Sequence, residues 1–67
     1  MTPEDYSNVR VKQLVAEYIH STRDRDILLD NLVDGLSYGE LADKYHLTYE
    51  GIKKIMRKGK QTIFRHY

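Results

Sequence analysis

Apolar residues recur along this chain at helical spacing, in four runs separated by polar or capping residues. Val11, Leu14, Val15 and Tyr18 follow i, i+3, i+4, i+7, and Ile19 widens the stripe; such spacing marks one helix face turned to a core. The second run is Ile27, Leu28, Leu29, Leu32 and Val33, a band broad enough to meet at least two neighbours. The third is Leu41, Ala42 and Tyr45, and the fourth is Ile52, Ile55, Met56, Gly59 and Ile63. No stretch alternates with a period of two for more than a few residues, and there is no repeat. The pattern predicts four helices, over about 8–20, 23–34, 38–45 and 49–65, and so an all-α small bundle.

Capping residues fall where these runs begin and end. Thr2 ahead of Pro3, or Ser7, can cap the first helix. Ser21 or Thr22 can cap the second, whose early Asp24 and Asp26 suit the positive end of a helix dipole. Gly35 can take the left-handed turn that ends it. Ser37 and Glu40 form a Ser-x-x-Glu capping box for the third helix, and Thr48 caps the fourth. Gly59 costs the fourth helix about 1 kcal/mol of propensity. Because it lies on the apolar stripe, it either admits a close helix neighbour or marks a bend.

At 67 residues and 40% hydrophobic content, the chain is expected to be one domain, 1–67. A domain of that size buries only about 60% of its unfolded surface. The absence of cysteine excludes disulfides, a thiolate zinc site and a nucleophilic thiol. No apolar run approaches the roughly 18 residues of a membrane span, and the start lacks a signal-peptide layout, so a soluble cytoplasmic protein is expected. The net charge of +1 conceals a division at Leu47. Up to it, five Lys and Arg stand against nine Asp and Glu, a net −4; beyond it, six stand against Glu50 alone, a net +5. One element that faces a polyanion, carried on an acidic body, accounts for that division better than a solvated lysine face.

Three residues separate the third and fourth helices, which suits a helix-turn-helix corner. With Tyr38 as the first of twenty motif positions, 38–57, the required apolar, small, apolar, apolar, apolar and apolar places fall on Leu41, Ala42, Tyr45, Leu47, Ile52 and Ile55. Ala42 would be small because the second motif helix crosses over it. His46 stands at the corner, where a left-handed backbone is expected and histidine is among the residues enriched. With about 100° per residue and Ile52 at zero, Glu50, Lys54, Arg57 and Gln61 lie within about 40° of the opposite pole, and Lys53, Gly51 and Lys58 flank them. Such a helix fits the major groove of double-stranded DNA, its first turns toward base edges and its outlying cations on phosphates. Glu50 can accept from a cytosine amino group or orient a neighbouring cation.

The segment "RDRDILLDNLVDGLSYGELADKYHLTYEGIKKIMRKGKQTIFRH", 23–66, resembles the fourth region of bacterial sigma factors and the small sigma-like regulators of phages and mobile elements. The likeness is carried by "RDRDIL", "YGELADKYHLTYEGIKKI" and "KGKQTIFRH", and residues 1–22 lie outside it. It implies a transcriptional regulator that reads an upstream promoter element and can touch RNA polymerase. The family's base- and phosphate-contacting places fall on Thr48, Tyr49, Glu50, Lys53, Lys54 and Arg57. Tyr49 departs from the arginine usual there, and His46 from the usual glycine. The other sigma regions are absent from the sequence, so promoter opening is not expected of it.

Other chemistry finds little purchase. His20, His46 and His66 are too far apart in sequence for a zinc pair, and no serine or carboxylate is spaced to specify a catalytic dyad. Neither catalysis nor a cofactor or metal is expected. Of the six tyrosines, Tyr18 and Tyr45 fall on apolar stripes and are expected in the core; Tyr38 and Tyr49 open the two motif helices and are expected exposed, with hydroxyls toward phosphate. The expected DNA-binding set is therefore Tyr38, Thr48, Tyr49, Glu50, Lys53, Lys54, Arg57 and Lys58. Two alternatives stand beside transcription: a DNA-binding module for packaging or recombination, of small terminase or recombinase type, and a protein-binding module docking on RNA polymerase or another regulator. The stripe of the first helix either closes the core or pairs with a second copy in a homodimer.

Overall fold

The computed structural model describes residues 3–67, and side chains from residue 9 onward. It is an all-helical bundle of α1 (Pro3–Tyr18), α2 (Thr22–Leu32), α3 (Tyr38–Tyr45) and α4 (Tyr49–Arg65), with no strand among the described residues. Helices α3 and α4 begin and end where the apolar periodicity predicts. Helix α1 starts earlier than expected, with Pro3 at its first position, so Ser7 lies inside it and Thr2 falls outside the described residues. It also stops earlier, at Tyr18, and α2 closes at Leu32 rather than Asp34.

Helices α2 and α4 form the centre. Each packs on all the other helices, whereas among the described residues α1 and α3 do not meet. The core takes Val11, Leu14, Val15 and Ile19 from α1 and its end, Ile27 and Leu28 from α2, Leu41 from α3, and Ile52, Met56 and Ile63 from α4. Val11, Leu14, Val15 and Ile19 of the first stripe are thus buried within this one chain and close its core. Burying each such side chain is worth about 1.5–3 kcal/mol, which is how a chain this short holds four helices together. Tyr18 departs from expectation. It is 37% exposed and stacks on His66, with ring centroids 3.8 Å apart, because α1 ends there and Ile19 turns inward instead.

The corners are tied by side chains as well as caps. Ser21 caps α2, its Oγ accepting from the Asp24 N–H at 3.3 Å. Arg25 donates through Nε to the Ile19 carbonyl and through Nη2 to the Ala16 carbonyl at 3.1 Å, satisfying carbonyls that the end of α1 leaves without helical partners. At the next corner Gly35 has φ +80°, and the Leu36 N–H reaches the Asp30 carbonyl at 3.0 Å. The Asn31 amide closes that turn on the Leu36 carbonyl at 2.7 Å.

Gly59 sits where α4 meets α2. An added Cβ would stand 2.6 Å from both Leu28 methyls, and α4 runs unbroken past the position. The glycine therefore serves close approach rather than a bend.

Candidate functional site

The α3–turn–α4 corner is fixed by local chemistry. The Ser37 Oγ accepts from the Glu40 N–H at 3.1 Å while Glu40 Oε1 accepts from the Ser37 N–H at 2.8 Å, closing the capping box. The Ser37 backbone N–H first, and then the Ser37 side chain, hold the Glu40 carboxyl below its ordinary value by hydrogen bonding to it. His46 ends α3 in the left-handed region, φ 57° and ψ 42°, and the Leu47 N–H returns to the Ala42 carbonyl at 2.9 Å. Thr48 then caps α4, its Oγ1 accepting from the Gly51 N–H at 3.0 Å. A Cβ on Gly51 would lie 3.1 Å from that same oxygen, so a glycine here leaves the cap room to close.

A second tie, between α2 and α3, sets where the corner sits on the bundle. Asp30 Oδ2 accepts from Lys44 Nζ at 2.8 Å and from the Tyr45 hydroxyl. The Lys44 hydrogen bond, then that of Tyr45, lowers the Asp30 pKa; the bond to Asp30 raises that of Lys44. Desolvation, then the bond to Asp30, pushes the Tyr45 phenol up. Tyr45 is half-buried and packed against the core as its stripe predicts, with only the hydroxyl committed to this bond.

Fixed in this way, α4 buries Ile52, Met56, Gly59 and Ile63 and turns Glu50, Lys54, Arg57, Lys58 and Gln61 to the exterior. Glu50 is paired to Lys53 at 3.8 Å, one turn along. Among the described residues, no carboxylate lies within ion-pair distance of Lys54, Arg57 or Lys58. Their charge faces outward without an internal counter-ion.

The candidate residues separate into two strips. Lys54, Arg57 and Lys58 with Glu50 occupy the outermost face of α4. Tyr38, Tyr49 and Lys53 lie on the flank toward α3, where the Tyr38 and Tyr49 rings are 6.0 Å apart and tilted by 55°, and Lys53 Nζ stands 5.9 Å from the Tyr49 ring centre. Tyr49 is 54% exposed, as expected. Tyr38 is not: it is half-buried against the core, because opening α3 places its ring over the α3–α4 seam. Its hydroxyl accepts from Lys60 Nζ at 3.2 Å, and that ammonium lies 5.7 Å from the ring centre. Nothing in the sequence singled out Lys60, since its partner is 22 positions away on another helix.

On the opposite flank, a half-open groove of about 460 Å³ runs between the α1–α2 corner and α4, with Ile19, Leu28 and Ile55 on its floor and Asp24, Lys54 and Lys58 at its edges. Among the described residues, no group of three His, Asp or Glu is placed to hold a metal ion, and no helix is long and apolar enough to cross a membrane. Comparisons with protein families, with curated proteins and with solved structures each return no match.

Proposed function

We propose that this chain is a sequence-specific double-stranded DNA-binding protein, a transcriptional regulator, in which α3 and α4 act as a helix-turn-helix and α4 enters the major groove from Tyr49. The observation that carries the reading is the outer face of α4, where Lys54, Arg57 and Lys58 are exposed and, among the described residues, free of carboxylate partners, on a corner fixed by two caps. A groove-entering helix needs cations at its edges and hydrogen-bonding groups toward the bases. In this reading Glu50, with Lys53 beside it, accepts from a cytosine amino group, while Thr48 and Tyr49 meet the backbone at the mouth of the groove. Lys54 and Arg57 supply the central contacts.

The likeness of residues 23–66 to sigma region four supports transcription over packaging or recombination, and supports RNA polymerase as a second partner. The protein works by binding, on the chromosome in the cytoplasm. Selection of duplexes from a random pool tests the proposal: a defined consensus is expected, a palindromic one would mean two copies on paired half-sites, and no enrichment would sink it in favour of a protein-docking role.

A further inference from the structure

We infer that Lys60 and Tyr38 together grip one backbone phosphate of the duplex, so that the nucleic-acid surface extends from the outer face of α4 across its seam with α3. The inference rests on the DNA-binding reading and adds to it a residue, Lys60, and a division of labour between the two strips of the site.

Lys60 Nζ donates to the Tyr38 hydroxyl at 3.2 Å and lies 5.7 Å from the ring centre, yet among the described residues no carboxylate reaches it. Its partner is a phenol oxygen rather than a carboxylate, so the pair holds no internal counter-ion. An ammonium has three hydrogens, and one goes to Tyr38. Because the phenol oxygen accepts here, the phenol's own hydrogen is left to point elsewhere. That leaves two hydrogens on Lys60 and one on Tyr38 uncommitted, which suits an anion that only accepts hydrogen bonds. A phosphodiester is such a group, and charge-assisted bonds to it are the stronger kind.

The placement adds a second reason. Both side chains are half-buried, and the Tyr38 ring packs against the core and against Tyr49. Lys60 is thus held at a set position by a ring rather than swinging free in solvent, and little side-chain freedom is left to lose on binding. Tyr49 and Lys53 continue the same strip toward the start of α4. A strand of the duplex following the strip would run past Tyr49 and Lys53 to Tyr38 and Lys60 while the outer face meets the bases. Contacts of this kind orient a protein on DNA and carry no sequence information directly.

The test measures binding of the full chain to its selected duplex and to an unrelated duplex between 50 and 200 mM salt, for the unaltered protein, Lys60→Met, Lys60→Arg and Tyr38→Phe. Lys60→Met is expected to weaken both duplexes by a similar factor and to reduce the salt slope by about 0.9, the contribution of one phosphate. Lys60→Arg should restore the slope, and Tyr38→Phe should weaken both duplexes with the slope kept. An unchanged slope in Lys60→Met, while the unaltered chain binds, overturns the phosphate contact and leaves the DNA reading standing. Loss confined to the selected duplex also overturns it, by making Lys60 a base reader. Failure of the unaltered chain to bind any duplex overturns both readings.

Discussion

Two residues carry the tightest constraints, and each has a substitution that tests it. His46 holds φ 57°, a conformation that costs an L-residue about 1–2 kcal/mol and glycine almost nothing. Glycine also loses more freedom on folding, by about 0.5–1 kcal/mol, so the two effects partly offset. His46→Gly is therefore expected to leave the melting temperature unchanged or raise it slightly, with DNA binding preserved. Loss of binding in a folded His46→Gly protein would place the imidazole at the DNA surface and not merely at the corner. Gly59 poses the opposite problem. Alanine there gains about 1 kcal/mol of helix propensity, but its Cβ would press to 2.6 Å on the methyls of Leu28, itself fully buried. Overpacking of this kind typically costs about 1–3 kcal/mol. Gly59→Ala should lower the melting temperature despite the better helix former. Leu28→Val, which shortens the opposing side chain, should recover part of that loss in the double variant, and strictly additive effects would show that the two residues do not share a contact.

At the scale of elements, the acid side of the stability curve reports the α2–α3 tie. Asp30 has its pKa lowered from 3.8 by its bonds with Lys44 and then Tyr45. A carboxyl lowered by folding stabilises the native state above its unfolded value, and that contribution disappears as pH falls through the folded value. Unfolding measured by urea at a series of pH values should therefore show stability declining from about pH 4 downward, with a shallower decline in Asp30→Asn. An identical slope in the two proteins would mean the tie is absent in solution. What was legible in the sequence follows the range of the interaction. The Ser37 box, the Thr48 cap and the His46 corner act within three or four residues, so residue type and spacing announce them. The Asp30–Lys44–Tyr45 tie, the Arg25 latch on the end of α1 and the Lys60–Tyr38 pair join residues on different elements, and no local pattern encodes them. Tyr18 was misplaced for a related reason: periodicity assigns it to the stripe, but only the point where α1 ends decides whether its ring is covered.

For the whole molecule, the division of charge at Leu47 follows the elements. The acidic excess lies on α1, α2, α3 and the turn after α2 that holds Asp34, and the basic excess is concentrated on α4, whose inner face is sealed into the core by Ile52, Met56 and Ile63. Since the α1 stripe is buried in the same core, pairing of two copies would need a different surface. The outer cations are exposed, so removing them should separate binding from folding. Lys54→Ala and Arg57→Ala are each expected to abolish detectable preference for the selected duplex while leaving the helical circular dichroism signal and the melting temperature unchanged, because neither side chain is buried or paired with a carboxylate. Residual binding should be weak, alike for all sequences, and steeply reduced between about 50 and 200 mM salt, since under the proposed reading the remaining lysines would still meet phosphates. Full affinity in both variants would remove α4 from the groove. A loss of helical signal alongside the loss of binding would instead mean that the outer face is needed for the fold, which its exposure argues against.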